Sequence, residues 1–314
     1  MYTIGILMDP IDSVNFTTDS TVSIMKSLQD KAKIKLIIPD TLHIVLNNVY
    51  ATVCSIRINS LREKKYTIKK KSKINLNKLD CVFFRKDPPV NQEYITILQM
   101  LRELEFQNTL VLNCPSALLN FNEKILGYNL SNPKIPTIIG NNFKEIKNLL
   151  VKYNEIVLKP INLMAGIGII KVRNTKESDQ IIKDYLEKYK IIIAQKFLRV
   201  VKNGDNRIVV YNGIIEENIL TRYPPKDDFR ANIACGGSYE INRIDKRYIP
   251  LIEEIASFLQ YHGVFLAGID MIGQYVTEIN ITSPTGIQQI GKRLSMKIAN
   301  QLLKNICNYH QSYD

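Results

Sequence analysis

The chain has 314 residues, 45% of them hydrophobic and 23% charged, with a formal net charge of +12. That length supports a large core and more than one domain. No apolar run approaches a membrane span, and the opening "MYTIGILMDP" has neither the basic start nor the long apolar stretch of a secretory signal. The five cysteines (Cys54, Cys81, Cys114, Cys235, Cys307) stand alone without CxxC spacing, and the three histidines are scattered. This usage points to a reducing cytoplasm and away from a zinc site or a disulfide framework.

In chain order, "YTIGILMD" reads as a buried first strand and "STVSIMKSLQDKA" as a helix capped at Asp19 or Ser20. "IKLIIP", "DCVFFRKD" and "TLVLN" read as strands, with "YITILQMLRELEFQN" a helix among them. The alternation predicts a small α/β layer with a parallel sheet over residues 1–121. The window 62–73, "REKKYTIKKKSK", carries seven basic residues and one acidic one, so half of the net charge sits in a run expected to be a solvated loop or edge. Tyr66 is its only aromatic residue, which leaves it without the interleaved stacking groups of a single-strand nucleic-acid binder.

"ALLNFNEKILGYNL" reads as one helix leading into the turn-rich "SNPKIP". Beyond it the pattern changes to strands in pairs interrupted by helices, an α+β arrangement over 122–314. Strands are expected in "EIVLKPINLMAGIGIIKV", "IIIAQKFL" and "NRIVVYNGIIEENIL", and a helix in "KRYIPLIEEIASFLQYH". Leu294, Ile298 and Leu302 recur at four-residue spacing and predict a closing helix with one packed face.

"GVFLAGIDMIGQY" and "YVTEINITSPTG" read as two strands of a hairpin. Side chains two apart share a face, so Glu278 and Asn280 point one way while Ile279 and Ile281 point into the core. A three-residue loop, Gly273-Gln274-Tyr275, sets Asp270 opposite Glu278; a two-residue loop sets it opposite Thr277 instead. In the first register Asp270, Glu278 and Asn280 form an all-oxygen cluster of the kind hard cations select.

Further candidates are individually ordinary. Lys159 ends an apolar strand beside Pro160, where a lysine can hold phosphate as a point charge. Gly166 and Gly168 lie in the loop that follows, and such glycines let backbone N–H groups approach phosphates. Lys124 falls in "NEK", Asp205 and Arg207 in "GDNR", and Arg230 and Asn232 in "DDFRANIACGG".

Taken as a series, "GILMDP", "FFRKDPP", "NEK", "IVLKP", "GDNR", "CGG" and "TEINITSPTG" resemble bacterial glutathione synthetases of the ATP-grasp superfamily, in colinear order over nearly the whole chain. The resemblance implies an ATP-grasp fold over 122–314, with a phosphate lid near 160–168, preceded by the small α/β parallel-sheet domain. It implies ATP-dependent ligation of γ-glutamylcysteine to glycine with Mg2+, or Mn2+ in its place, in a cytoplasmic homo-oligomer, commonly a tetramer. Nucleic acid and membrane are not expected partners. Carried over by position, Lys124, Lys159 and Gly166 would meet the ATP phosphates, Gln195, Lys196, Phe197 and Leu198 the adenine, and Asp205 the ribose. Asp270, Glu278 and Asn280 would hold the metal. Arg207, Arg230 and Asn232 would lie at the reaction centre, with Arg222, Arg85, Ser283, Thr285 and Asn15 around the substrates.

Two segments depart from the family. The lid reads "NLMAG" where relatives have a DGMGG form, so alanine and leucine stand where glycines are usual, and a stiffer loop or another path is expected. After "SPTG", Gln288 and Gln289 stand in place of an Arg-Glu pair. The competing readings are another carboxylate–amine ligase of the same fold and a basic nucleic-acid-binding protein without catalysis.

Overall fold

The structure is a computed structural model that describes residues 1–312. Tyr313 and Asp314, the last two residues of the expected second unit, lie outside the described residues.

Thr3–Met8 is the centre of the first sheet. It pairs in parallel with Lys33–Ile37 and Cys81–Arg85, and the latter pairs in parallel with Leu110–Leu112. The parallel layer is therefore four strands wide. The rest of that sheet is antiparallel, built on the 13-residue strand Asn48–Ser60, which was not foreseen. Its alternation buries Val49, Ala51, Val53, Ile56 and Ile58 against the layer.

Against Asn48–Ser60 lie Lys65–Ile68 and Ser72–Asn75, so half of the basic window is strand edge, one of the two forms expected, and the other half is turn and loop. The run is solvated as expected, and a long neighbour offering unpaired backbone groups holds its strand half extended.

Helix Ser20–Leu28 starts where expected, with the Asp19 carboxylate accepting the Val22 N–H at 2.8 Å. The helix expected over "ALLNFNEKILGYNL" is two, Pro115–Asn120 and Glu123–Leu130. Asn122 breaks it: its side chain accepts from the N–H groups of Lys124 and Ile125, a local bond that outcompetes helix continuation. The break puts Glu123 and Lys124 in a fresh first turn.

A four-stranded antiparallel sheet follows in the order Ile170–Arg173, Glu155–Pro160, Ile192–Lys196, Thr137–Gly140. Helices Phe143–Tyr153 and Ser178–Tyr189, neither read from the sequence, supply its own small core with Ile146, Leu150 and Ile182 fully buried. The last sheet runs Ser238–Arg243, Asn218–Tyr223, Asp205–Tyr211, Leu266–Ile272, Tyr275–Asn280, all antiparallel, with Ile214–Ile215 paired to Asp205–Tyr211. Helix Ile249–Tyr261 buries Ile252, Ile255 and Leu259 in a core shared with the first layer.

The closing helix Lys292–Gln311 buries Leu294, Ile298 and Leu302 as the spacing predicts. It packs back on Ser20–Leu28, where the Ser23 and Ser295 hydroxyls bond at 2.6 Å in a buried site. The chain's two ends thus share a core, and the sheets that follow are held against the first layer with clefts between them.

Candidate active site

The hairpin of Leu266–Ile272 and Tyr275–Asn280 turns through Gly273 and Gln274 alone, with Ile272 opposite Tyr275. A two-residue loop with continuous pairing would leave Asp270 opposite Thr277. The register instead shifts between Met271 and Asp270, so that Met271 faces Val276 and Asp270 faces Glu278. Thr277 is bulged out, and its hydroxyl donates to the Asp270 carbonyl at 3.1 Å. The expected pairing is present, but by a bulge and not by a three-residue loop.

Neighbouring strands add to the same face. Cross-strand pairing sets Arg207 beside Asp270 and Asp205 beside Arg222. Arg207 grips the Asp270 carboxylate with Nε and Nη2, at 2.5 and 2.8 Å, and Arg222 reaches both Asp270 (3.1 Å) and Asp205 (2.6 Å). Asn280 donates to Asp270 Oδ2 at 3.1 Å. Burial alone would raise the pKa of Asp270, but the two arginines outweigh it and hold it at about 2. For Asp205 burial wins over Arg222 and pushes the pKa up to about 6. Asp205 Oδ1 and Arg222 Nε are buried without a protein partner among the described residues, polar atoms left for a ligand.

Two clefts meet at this face. The first, about 840 Å³, is lined by Lys124, Lys159, Gly166, Gln195, Lys196, Phe197, Leu198 and Asp205. Lys124 is 9% exposed and bonds Glu278 (3.0 Å) and the lid carbonyl of Leu163 (2.7 Å). Lys159 donates to Gln195 at 2.9 Å, and burial lowers its pKa. The second cleft, about 880 Å³, is lined by Arg207, Arg222, Asn280, Ser283 and Thr285. Asp270, Glu278 and Asn232 line both, as do Met164 and Ala165 of the lid.

The lid lies down over the junction. Ala165, Gly166 and Gly168 have φ of +55°, +79° and +74°, so the left-handed path is kept although Ala165 carries a Cβ. Arg230, held by Asp228 at 2.6 Å, donates to the Gly166 carbonyl at 3.0 Å. A Cβ on Gly166 would come within 2.9 Å of the Asn232 side-chain oxygen, so this glycine serves close approach as well as its φ.

Two expected substrate residues are not brought to the clefts. Arg85 is 2% exposed and lies behind the loop, with Nε on Thr21 and Nη2 on the Pro284 carbonyl at 2.9 Å, so it braces the loop that carries Ser283 and Thr285. Asn15 is a turn former whose side chain accepts from the Thr17 N–H and hydroxyl. The direction of each side chain is a tertiary matter that residue type does not fix.

Residues not singled out also line the clefts: Phe229 in the first, Asp87 and Glu123 in the second. Lys171 stands 4.6 Å from the Phe197 ring centroid and 5.7 Å from that of Phe229, tying the two sheets at the mouth of the first cleft. Asp87 and Glu123 lie in "RKDPP" and "NEK", segments that carried the only available signal.

The donor set suits a hard divalent cation. Asp270, Glu278 and Asn280 place carboxylate and amide oxygens where the two clefts join, and the amide nitrogen of Asn280 is already spent on Asp270 and Gly268. Arg207, Arg222 and Lys124 meanwhile supply the positive charge these carboxylates require.

A nucleotide-sized cleft with buried lysines and a left-handed lid, opening on a second cleft lined by arginines, defines an ATP-grasp protein. The chain superposes on a D-cycloserine synthetase with a TM-score of 0.70 at 10% identity, covering 97% of this chain and 99% of that one. It also superposes on D-alanyl-alanine synthetase A from Vibrio cholerae with a TM-score of 0.62 at 17% identity, over 98% of each. Those likenesses establish the fold.

Sequence narrows the class. Residues 2–118 match the N-terminal domain of prokaryotic glutathione synthetase, and residues 123–295 match its ATP-grasp domain. The chain is 36% identical over 311 residues to a glutathione synthetase of Wigglesworthia glossinidia brevipalpis, covering 98% of each. It is 34% identical over 307 residues to that of Buchnera aphidicola subsp. Baizongia pistaciae, covering 96% of this chain and 95% of the relative. The chain belongs to the prokaryotic glutathione synthetase family.

Proposed function

We propose that the chain ligates γ-glutamylcysteine to glycine at the expense of ATP, through an acyl phosphate, giving glutathione, ADP and phosphate. The observation that carries this reading is the oxygen set of Asp270, Glu278 and Asn280 at the join between a lysine-lined cleft and an arginine-lined one. One cleft suits a polyphosphate, the other a carboxylate substrate, and the phosphoryl group must cross the join.

ATP takes the first cleft. Lys124 and Lys159 hold its phosphates, Gly166 covers them, and Gln195 to Leu198 receive the adenine with Asp205 on the ribose. Asp270, Glu278 and Asn280 hold Mg2+, or Mn2+, which when bound neutralises phosphate charge. Arg207 and Arg222, while holding Asp270, line the second cleft and face the cysteinyl carboxylate and the transferred phosphoryl group. A carboxylate resists amine attack until it is activated, so the chain's task is to place the two reactants and to stabilise oxygen charge with fixed cations. Arg230 and Asn232 tie the lid down, so that water does not intercept the acyl phosphate. Ser283 and Thr285 lie along the dipeptide.

The chain divides for this work at residues 121 and 122, into a substrate-side layer and the ATP-grasp part. The reading extends to a cytoplasmic homotetramer, testable by light scattering. No helix among the described residues is long and apolar enough to cross a membrane. The deciding assay is phosphate release from ATP with γ-glutamylcysteine, with and without glycine. Glycine-dependent release with matching tripeptide formation is expected. Release indifferent to both the dipeptide and glycine would refute the reading.

A further inference from the structure

The reaction brings two ammonium groups into one cavity, the α-ammonium of the γ-glutamyl residue and that of glycine. An ammonium taken from water needs an anionic acceptor to offset its desolvation. Four carboxylates line the second cleft: Asp87, Glu123, Asp270 and Glu278. Asp270 is neutralised by Arg207 and Arg222, and Glu278 by Lys124. Among the described residues, Asp87 and Glu123 have no lysine or arginine at ion-pairing distance. Two carboxylates without an ion-paired cation therefore line a cavity that must take two ammonium groups, Asp87 with Ser283 as a hydrogen-bond partner and Arg85 nearby, Glu123 with neither.

Glu123 is held in an unusual way. Its Oε1 accepts three hydrogen bonds, from the N–H groups of Ile281 (2.7 Å) and Thr282 (2.9 Å) and from the Thr282 hydroxyl (2.9 Å). No protein donor reaches Oε2 among the described residues. The side chain lines the second cleft and also a neighbouring cavity of about 930 Å³ bounded by Pro88, Phe121 and Leu163. One oxygen is thus locked to the end of the metal-site strand while the other is offered to the cavities. Burial raises the pKa of Glu123, with nearby Glu278 adding to the shift, and a bound cation would relieve both penalties.

Resting on the ligase reading above, we infer that Glu123 holds the ammonium of the acceptor amino acid through Oε2, and that Asp87 is left for the donor's α-ammonium. Position decides which carboxylate takes which. Glu123 adjoins Lys124 in the helix that packs on the metal-site strand, where Gly127 lies against the Glu278 backbone. It is therefore on the phosphate side, where the attacking nitrogen is required. Asp87 belongs to the first layer, its N–H bonded to Asp9 at 2.8 Å, and lies outside the phosphate-side helix that carries Lys124.

The test measures both Michaelis constants and a trapping reaction on the intact chain. Glu123→Gln keeps an oxygen for the three donors but removes the charge. Loss of one charge-assisted hydrogen bond predicts a rise of about ten- to a hundred-fold in KM for glycine. KM for γ-glutamylcysteine stays within about two-fold, and Asp87→Asn gives the reverse pattern. Hydroxylamine is uncharged at neutral pH and traps the acyl phosphate as a hydroxamate. Its product rate in Glu123→Gln falls by no more than about three-fold, since no ammonium has to be held. Should the glutamine variant fail to fold, Thr282→Val removes one of the three donors and raises the glycine KM about three-fold alone. Equal losses with glycine and hydroxylamine, or a rise confined to the dipeptide KM, overturn the assignment. A wild-type chain that makes neither hydroxamate nor tripeptide overturns the ligase reading itself, and the inference with it.

Discussion

Replacing single lid residues with glycine separates two effects that the sequence alone runs together. Ala165 sits at φ +55°, whereas Leu163 is not among the positive-φ residues. The left-handed region costs a residue with a Cβ roughly 1–2 kcal/mol, and glycine escapes this but loses about 0.5–1 kcal/mol more entropy on ordering. Ala165→Gly therefore favours the ordered lid by about 0.5–1 kcal/mol net, roughly two- to five-fold in nucleotide affinity if the lid orders on binding. Leu163→Gly relieves nothing and adds freedom beside the carbonyl that anchors Lys124 at 2.7 Å. It weakens nucleotide binding by a comparable factor, and the double variant comes out near neutral. Titration with a non-hydrolysable ATP analogue, together with phosphate released per peptide formed, measures both. If Ala165→Gly binds nucleotide more weakly or wastes more ATP, strain at Ala165 is not what limits the lid.

Glu278→Ala removes an oxygen from the metal site and strips buried Lys124 of its 3.0 Å partner. Ligation drops by on the order of 100-fold or more, and raising Mg2+ does not restore it; turnover near wild type would remove Glu278 from the site. Neutralising Lys69, Lys70 and Lys71, all exposed and outside both clefts, leaves the Michaelis constants for ATP and dipeptide within about two-fold at moderate salt. A large change in either would mean that the basic run reaches substrate. Glu155 gathers Arg173 (3.1 Å) and Arg199 (3.0 Å). Burial opposes its ionisation, but Arg199 and Arg173 prevail and hold its pKa below the ordinary 4.5. Its stabilisation is complete above about pH 4.5 and is lost as pH falls through the depressed value, so Glu155→Gln flattens the acid limb of a denaturation series run across that window. An unchanged acid limb would show that the cluster contributes nothing.

Short-range patterns carried much of this protein in plain view. A period of two put Glu278 and Asn280 on one face and Ile279 and Ile281 on the other, a capping residue marked the start of Ser20–Leu28, and a four-residue spacing marked the buried face of Lys292–Gln311. These are consequences of backbone geometry within a few residues, so they survive without knowledge of the rest of the chain. The order of "NEK", "IVLKP", "GDNR" and "TEINITSPTG" was equally legible, because motif chemistry is written locally.

Pairing and direction were decided elsewhere. The turn at Gly273 and Gln274 has the length that should have set Asp270 against Thr277, yet the bulge at Thr277 restores Glu278 as its partner. Helix Glu123–Leu130 packs on that strand so closely that a Cβ on Gly127 would lie 2.9 Å from the Glu278 Cα, a contact between residues 151 positions apart. Half of the basic window is extended because Asn48–Ser60 lies beside it, and Arg85 braces Pro284 from behind because the closing loop folds over it. In each case free energy is gained by satisfying backbone and buried polar groups across long stretches of chain. Such partners are chosen by which surfaces meet, and so Glu123, an unremarked letter of a short motif, becomes a locked carboxylate only when Ile281 and Thr282 arrive to hold it.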